Sequence, residues 1–210
     1  MTIGCHCLAE ASESARNLAV VYEFIPIGIF IQGVSKKLYK YYDWENQETP
    51  NGIAVLTENC KFVMALEDAL DDTVAWGSYT GLIDNCSNAS SIADLYYTGK
   101  SDTEAIIEHF DGLLPAAKRA KSYKFPNGQN GYLGSNGEWR AVMDNYETVM
   151  SLLTLLEVYD YFASRYWTST QIGDTDCILT SFDIIDFESH SFRIDNRVNN
   201  EEWVRAFTSL

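Results

Sequence analysis

Cys5-His6-Cys7 is the nearest this 210-residue chain comes to a cluster of metal ligands. Thiolates and imidazole suit zinc, but zinc sites draw on spaced ligand pairs, and no second pair follows. Asp183, Asp186 and Glu188 carry the oxygen donors that calcium takes, without a calcium-loop pattern, so they read as solvated acids. Nucleophilic catalysis needs a serine or cysteine beside a base. The other two histidines, His109 and His190, stand in no triad context, and there is no Gly-x-Ser-x-Gly turn. No glycine loop is spaced to cradle a phosphate. The residues do not support an enzyme, and neither a cofactor nor a metal is expected.

What remains is binding, and charge narrows the partners. Thirty acids against fifteen Lys and Arg give a formal charge of -15. Phosphate polymers require a basic face, so no nucleic-acid partner is expected. Anionic lipid surfaces are excluded for the same reason, and no apolar run approaches the ~20 residues of a membrane span. Met1 to Glu13 has no basic start followed by an apolar run, so no secretory leader is read there. The cysteines, Cys5, Cys7, Cys60, Cys86 and Cys177, are odd in number and sparse. They read as free, mostly buried thiols of a chain made inside a cell.

The elements that must position a binding surface follow from periodicity. Leu8, Ala11, Ala15, Leu18 and Val21 have helical spacing, but residues 1–26 form only a short extension, bounded near Pro26. "IPIGIFIQG" reads as a strand, Gly33 to Lys36 as a turn, and "KLYKYYDW" as the returning strand. Pro50-Asn51-Gly52 signals a further turn. "IAVLTENCKFVMAL" reads as two strands around Thr57-Glu58-Asn59. Ser101-Asp102-Thr103-Glu104 and Ser135-Asn136-Gly137-Glu138 have the form of capping boxes that open two helices. The second carries an apolar stripe of Trp139, Val142, Met143, Tyr146, Met150, Leu153 and Leu156, with a break expected near Asp144-Asn145. From Tyr166 onward the pattern returns to strands. Strands, then helices, then strands predict an α+β fold of antiparallel strands with two main helices.

Several segments in a fixed order carry a family resemblance: "GIAVLTENCKFVMALED", "AWGS", "TGKSDTEAIIEHF", "NGYLGSNGEWRAVMDN", "YWTSTQ" and "VRAF". Together they resemble the collagen-like-protein C-terminal (Lcl-type) domain over Ile27 to Leu210. That resemblance implies a C-type-lectin-like fold for residues 27–210, with the N- and C-terminal strands paired, so that "VRAF" lies beside "IPIGIFIQG". It implies that Trp76, Trp139 and Trp167 anchor the core. Gly134 stands where relatives carry proline, which implies a looser turn before the second helix.

Residues 171–202 depart from such relatives, whose alternation of tyrosine and asparagine is tidier. Ile172, Asp174, Asp176, Ile178, Thr180, Phe182, Ile184, Asp186, Phe187, His190, Phe192, Arg193 and Arg197 stand there instead. This set resembles the variable region of diversity-generating retroelement targets, which implies a ligand-binding face made of these residues. Phe182, Phe187 and Phe192 are the expected aromatic anchors, and Arg193 and Arg197 the charge-assisted hydrogen-bond donors. Asp174, Asp176, Asp183, Asp186, Glu188, Asp195, Glu201 and Glu202 oppose those two arginines, so the stretch should favour neutral or basic partners. The lectin sugar tripeptides Glu-Pro-Asn and Gln-Pro-Asp are absent, which disfavours calcium-dependent sugar binding.

The expectation is a non-catalytic module for a protein or glycan receptor, carried on a phage tail or tail fibre, with residues 1–26 attaching it or forming a homo-oligomer. A bacterial cell-surface or pilus-tip adhesin and a structural virion decoration are the alternatives. The formylglycine-generating enzymes resemble this fold too, but they need a redox-active cysteine pair where this chain has only Cys177.

Overall fold

A computed structural model describes residues 27–78, 80–110, 115–158, 162, 165–182 and 190–210. The extension 1–26 and its boundary near Pro26 lie outside them. In chain order the strands are β1 (Gly28–Gly33), β2 (Leu38–Tyr39), β3 (Pro50–Leu56), β4 (Lys61–Met64), β5 (Val74–Ala75), β6 (Tyr132–Leu133), β7 (Arg165–Ile172), β8 (Asp176–Phe182), β9 (His190–Asn196), β10 (Glu201–Glu202) and β11 (Ala206–Ser209). The helices are α1 (Gly99–Phe110), α2 (Pro115–Ser122), α3 (Asn136–Met143) and α4 (Tyr146–Leu155).

Three antiparallel sheets result: a six-stranded one ordered β2-β1-β3-β4-β11-β6, a three-stranded one ordered β7-β8-β9, and the pair β10-β5. The α+β class matches the expectation. The expected terminal pairing does not. β11 lies between β4 and β6, with Phe207 opposite Met64 and Tyr132, and two strands separate it from β1. The reason is local: the β3–β4 hairpin forms through the Thr57 turn, where the Thr57 N–H donates to the Cys60 carbonyl at 2.8 Å. That hairpin occupies the side of β1 that the last strand would otherwise take.

Two turn signals read differently in the fold. Pro50-Asn51-Gly52 begins β3 instead of forming a turn; proline is tolerated at the first residue of a strand, and Asn51 donates to the buried Gln32 side chain at 2.7 Å. Helix α1 starts at Gly99, two residues before the expected serine cap, and Ser101 Oγ donates back to the Thr98 carbonyl at 3.0 Å. At α3 the expected cap is present: the Glu138 carboxylate accepts from the Ser135 N–H at 2.8 Å and its hydroxyl at 2.9 Å. The apolar stripe breaks at Asp144-Asn145, as its spacing predicts, into α3 and α4.

Trp76, Trp139 and Trp167 are all buried. Trp139 is the hub of one core cluster, 5.0 Å from the Tyr166 ring and 5.0 Å from the Phe207 ring, which stacks on Phe62 at 4.6 Å. Trp76 and Trp167 fill a second cluster with Ile106, Cys177 and Leu179. The three-stranded sheet therefore has a packed core on each face. Gly134 is fixed by this packing, not by turn freedom: a Cβ there would lie 2.6 Å from the Phe207 ring.

Candidate binding face

β8 is the central strand of its sheet, paired with β7 on one side and β9 on the other. A strand between two packed faces is buried on both, and β8 is buried from Cys177 to Phe182, with Thr180 and Ser181 as its buried polar residues. Ile178, Thr180 and Phe182 point into the Trp139 core, and Cys177 and Leu179 into the Trp76 core. Phe182 stacks on Phe162 with ring centroids 4.5 Å apart. The expectation that Ile178, Thr180 and Phe182 form exposed contacts is therefore corrected: the alternation serves two cores, not one core and solvent.

Phe192 is corrected likewise. It sits opposite Thr180, only 6% exposed, with the Arg140 guanidinium 4.9 Å above its ring. Its neighbours on β9 differ, because β9 is an edge strand. Ser191 and Arg193 are exposed, and Ile194 is 50% exposed. Ile184, Asp186 and Phe187 lie outside the described residues, as does the His190 side chain, whose backbone begins β9 opposite Phe182.

Arg197 gives the largest correction. Expected as a surface donor, it is fully buried and bolts three segments together. Its Nη1 donates to Gln171 Oε1 at 3.0 Å, and its Nη2 donates to the Asp174 carbonyl at 2.5 Å and to the Gly81 carbonyl. The guanidinium lies 5.2 Å over the Trp76 ring. Gln171 passes the restraint on, accepting from the Ile83 N–H at 3.0 Å and donating to the Ile83 carbonyl at 3.1 Å. An arginine suits this junction because its planar fork serves several acceptors at once.

The bolt presents a rigid tip. Gly173, with φ of +68°, turns the chain between β7 and β8 and exposes Asp174 and Thr175 beside Leu82, which is 43% exposed. Ile172 and Asp176 are half-buried at its base. Of the expected face, Asp174, Arg193 and parts of Ile172 and Asp176 are accessible among the described residues. The acids there are partly neutralised: Arg165 approaches Glu202 at 3.1 Å and Asp195 at 3.9 Å. Burial raises the Glu202 carboxyl above its usual range, against the pull of Arg165.

Buried polar groups that sequence spacing did not single out hold the tip on the fold. The Asp102 carboxylate accepts from Ser87 N–H at 3.0 Å, Ser87 Oγ at 2.6 Å, Thr98 Oγ1 at 3.0 Å and Ser169 Oγ at 2.8 Å. It ties the segment before α1 to β7. Arg205 is equally buried, 2.7 Å from Asp68 and stacked over Phe162 and Tyr166. Arg205 had one signal, a charge between the apolar Val204 and Ala206, whereas Asp102 stood in a polar run read only as a helix cap.

The chemistry available is limited. Cys60, Cys86 and Cys177 are free thiols, and complete burial holds the Cys177 thiol well above its ordinary range, which disfavours the reactive thiolate. Among the described residues, no group of three or more His, Cys, Asp or Glu side chains is placed to hold a metal. Among them too, no helix is long and apolar enough to cross a membrane. Cys5-His6-Cys7 and the acids Asp183, Asp186 and Glu188 lie outside.

No family model matches the chain, and no curated protein does. Among solved structures it is similar to a fimbrial protein from Bacteroides ovatus ATCC 8483, with a TM-score of 0.63 and 15% identity over 89% of this chain. The chain spans 49% of that protein, about half its length. At this identity the likeness is one of fold: this chain's mixed α+β architecture with antiparallel sheets has a counterpart in a fimbrial protein.

Proposed function

We propose that this chain is a non-catalytic binding domain displayed on a bacterial cell surface, in an adhesin or a pilus-type assembly. The observation that carries this reading is the fold likeness to a fimbrial protein across 89% of the chain. The burial of Cys177 supports the non-catalytic part, since it removes the one cysteine considered for catalysis. The phage-tail role first expected from the sequence has no comparable support, and the adhesin alternative takes its place.

The partner is a protein or glycan receptor, and the surface that meets it is the bolted tip with the outer side of β9. A rigid scaffold with few accessible side chains suits recognition, because little ordering is needed on binding. Any diversification of residues 171–202 is open at Asp174, Arg193 and Ile194 and closed at Ile178, Phe182, Phe192 and Arg197, whose replacement opens the core. Residues 1–26 serve attachment, and repeated copies turn weak contacts into avidity.

Deleting the gene from the bacterium that carries it tests this. Attachment of those cells to receptor-bearing surfaces should fall, and the purified chain in excess should compete with wild-type attachment. Unchanged attachment and no competition would overturn the reading.

A further inference from the structure

Cations are scarce in this chain, yet five of its fifteen, Lys100, Lys118, Arg119, Lys121 and Lys124, fall in one region. Three of them line a single open pocket of about 470 Å³ at the β6–β11 edge, where α1 begins and α2 ends. Among the described residues, none of the side chains lining it is an acid. Lys100 Nζ donates to Ser209 Oγ at 3.4 Å, Lys124 Nζ donates to Asn130 Oδ1, and Lys121 Nζ lies 3.8 Å from Glu104. Two of the three lysines thus rest on neutral oxygens, and one shares its charge with a carboxylate that is 57% exposed. Gln129, Asn130, Thr208 and Ser209 add amides and hydroxyls to the wall, beside Tyr132 and two glycines.

We propose that this pocket binds a small acidic saccharide, one sugar unit carrying a carboxylate, sulfate or phosphate. Ammonium groups converging on a pocket favour an anion. The overall charge of -15 repels polyanions such as nucleic acid, which leaves a ligand with a single anionic group. The volume falls in the range of small-molecule sites and exceeds what a bare inorganic anion fills. Amide and hydroxyl groups around the charge match sugar hydroxyls. The proposal stands apart from the receptor-binding tip and does not depend on where the protein is displayed.

The test is a titration of the whole chain at low salt, followed by amide NMR, with glucuronate, glucose 6-sulfate, glucose and inorganic phosphate as separate probes. At least one acidic sugar should shift the amides of residues 100, 121–131 and 208–209 saturably, and glucose should bind at least tenfold more weakly. A Lys100→Gln/Lys124→Gln variant, altered only at exposed side chains, should lose at least tenfold in affinity with the remaining spectrum unmoved. No saturable shift with either acidic sugar, or wild-type affinity in the variant, overturns the proposal. Inorganic phosphate binding as tightly as the acidic sugars overturns its saccharide part.

Discussion

Arg197 shows how far one residue's setting can depart from its type. Read in sequence, it is a basic side chain in an acidic, polar stretch. Folded, it fills the space between Trp76, Gln171, Gly81 and Asp174. Removing it takes a charged donor from each of three oxygens, and hydrogen bonds to charged groups are worth about 1.5–3 kcal/mol each. Arg197→Met should therefore lower stability by about 3 kcal/mol or more in urea unfolding. A loss below about 0.5 kcal/mol, the usual surface value, would mean that the tip does not depend on this bolt. Asp102 carries a second test at this scale. Burial raises its carboxyl above 3.8, outweighing four hydrogen bonds that act to lower it. The folded chain thus holds that proton more tightly than the unfolded one. Its stabilising contribution is whole below about pH 3.8 and is lost as pH rises through the folded-state pKa. Asp102→Asn cannot ionise, so its unfolding midpoint should fall less than wild type's between pH 4 and pH 7; parallel curves would refute the assignment.

At the scale of elements, the contrast is between a central strand and an edge. β8 is buried on both faces and β9 on one, so neighbouring substitutions should behave differently. Phe182→Ala should cost about 3–5 kcal/mol by opening a cavity beside Trp139 and Phe162. Arg193→Ala on β9 should change stability by no more than about 0.5 kcal/mol. Chemical denaturation of the two variants checks both, and equal costs would contradict the burial pattern. The elements themselves were largely legible: the β3–β4 hairpin, the α3 cap and its break at Asp144 follow from turn chemistry and period, and the β1–β2 hairpin does so in part, since only Leu38–Tyr39 of the expected returning strand is extended and Tyr41–Asp43 forms a 3-10 turn. Three things were not. Strand order depends on which hairpin closes first in space, and no local pattern encodes that for β11. α2 is short and offers only Ala116, Ala117 and Ala120 as a buried stripe, too weak a periodic signal. Residues 171–202 looked irregular because β8 alternates between two cores, so no polar face appears, and its buried arginine mimics a surface one.

At the scale of the molecule, the described residues form three sheets and four helices around the tryptophan-centred cores and leave two kinds of surface. The tip at Gly173–Thr175 and the outer side of β9 form an exposed rim, the surface proposed above to meet a receptor. The lysine pocket at the β6–β11 edge gathers three of the chain's fifteen Lys and Arg residues in one place. A similar fold occurs in a fimbrial protein about half of whose length this chain spans. The candidate site was legible only in part, since Asp174 and Arg193 are accessible, whereas Ile178, Thr180, Phe182, Phe192 and Arg197 were assigned outward and belong to the interior.

The most direct measurement is immunogold electron microscopy of intact cells of the organism that carries the gene, using antibodies raised against the purified chain. Gold on the outer surface or on fimbria-like appendages, lost when the gene is deleted, is the expected result. Gold confined to released phage particles or to the cell interior would contradict a surface-displayed binding domain.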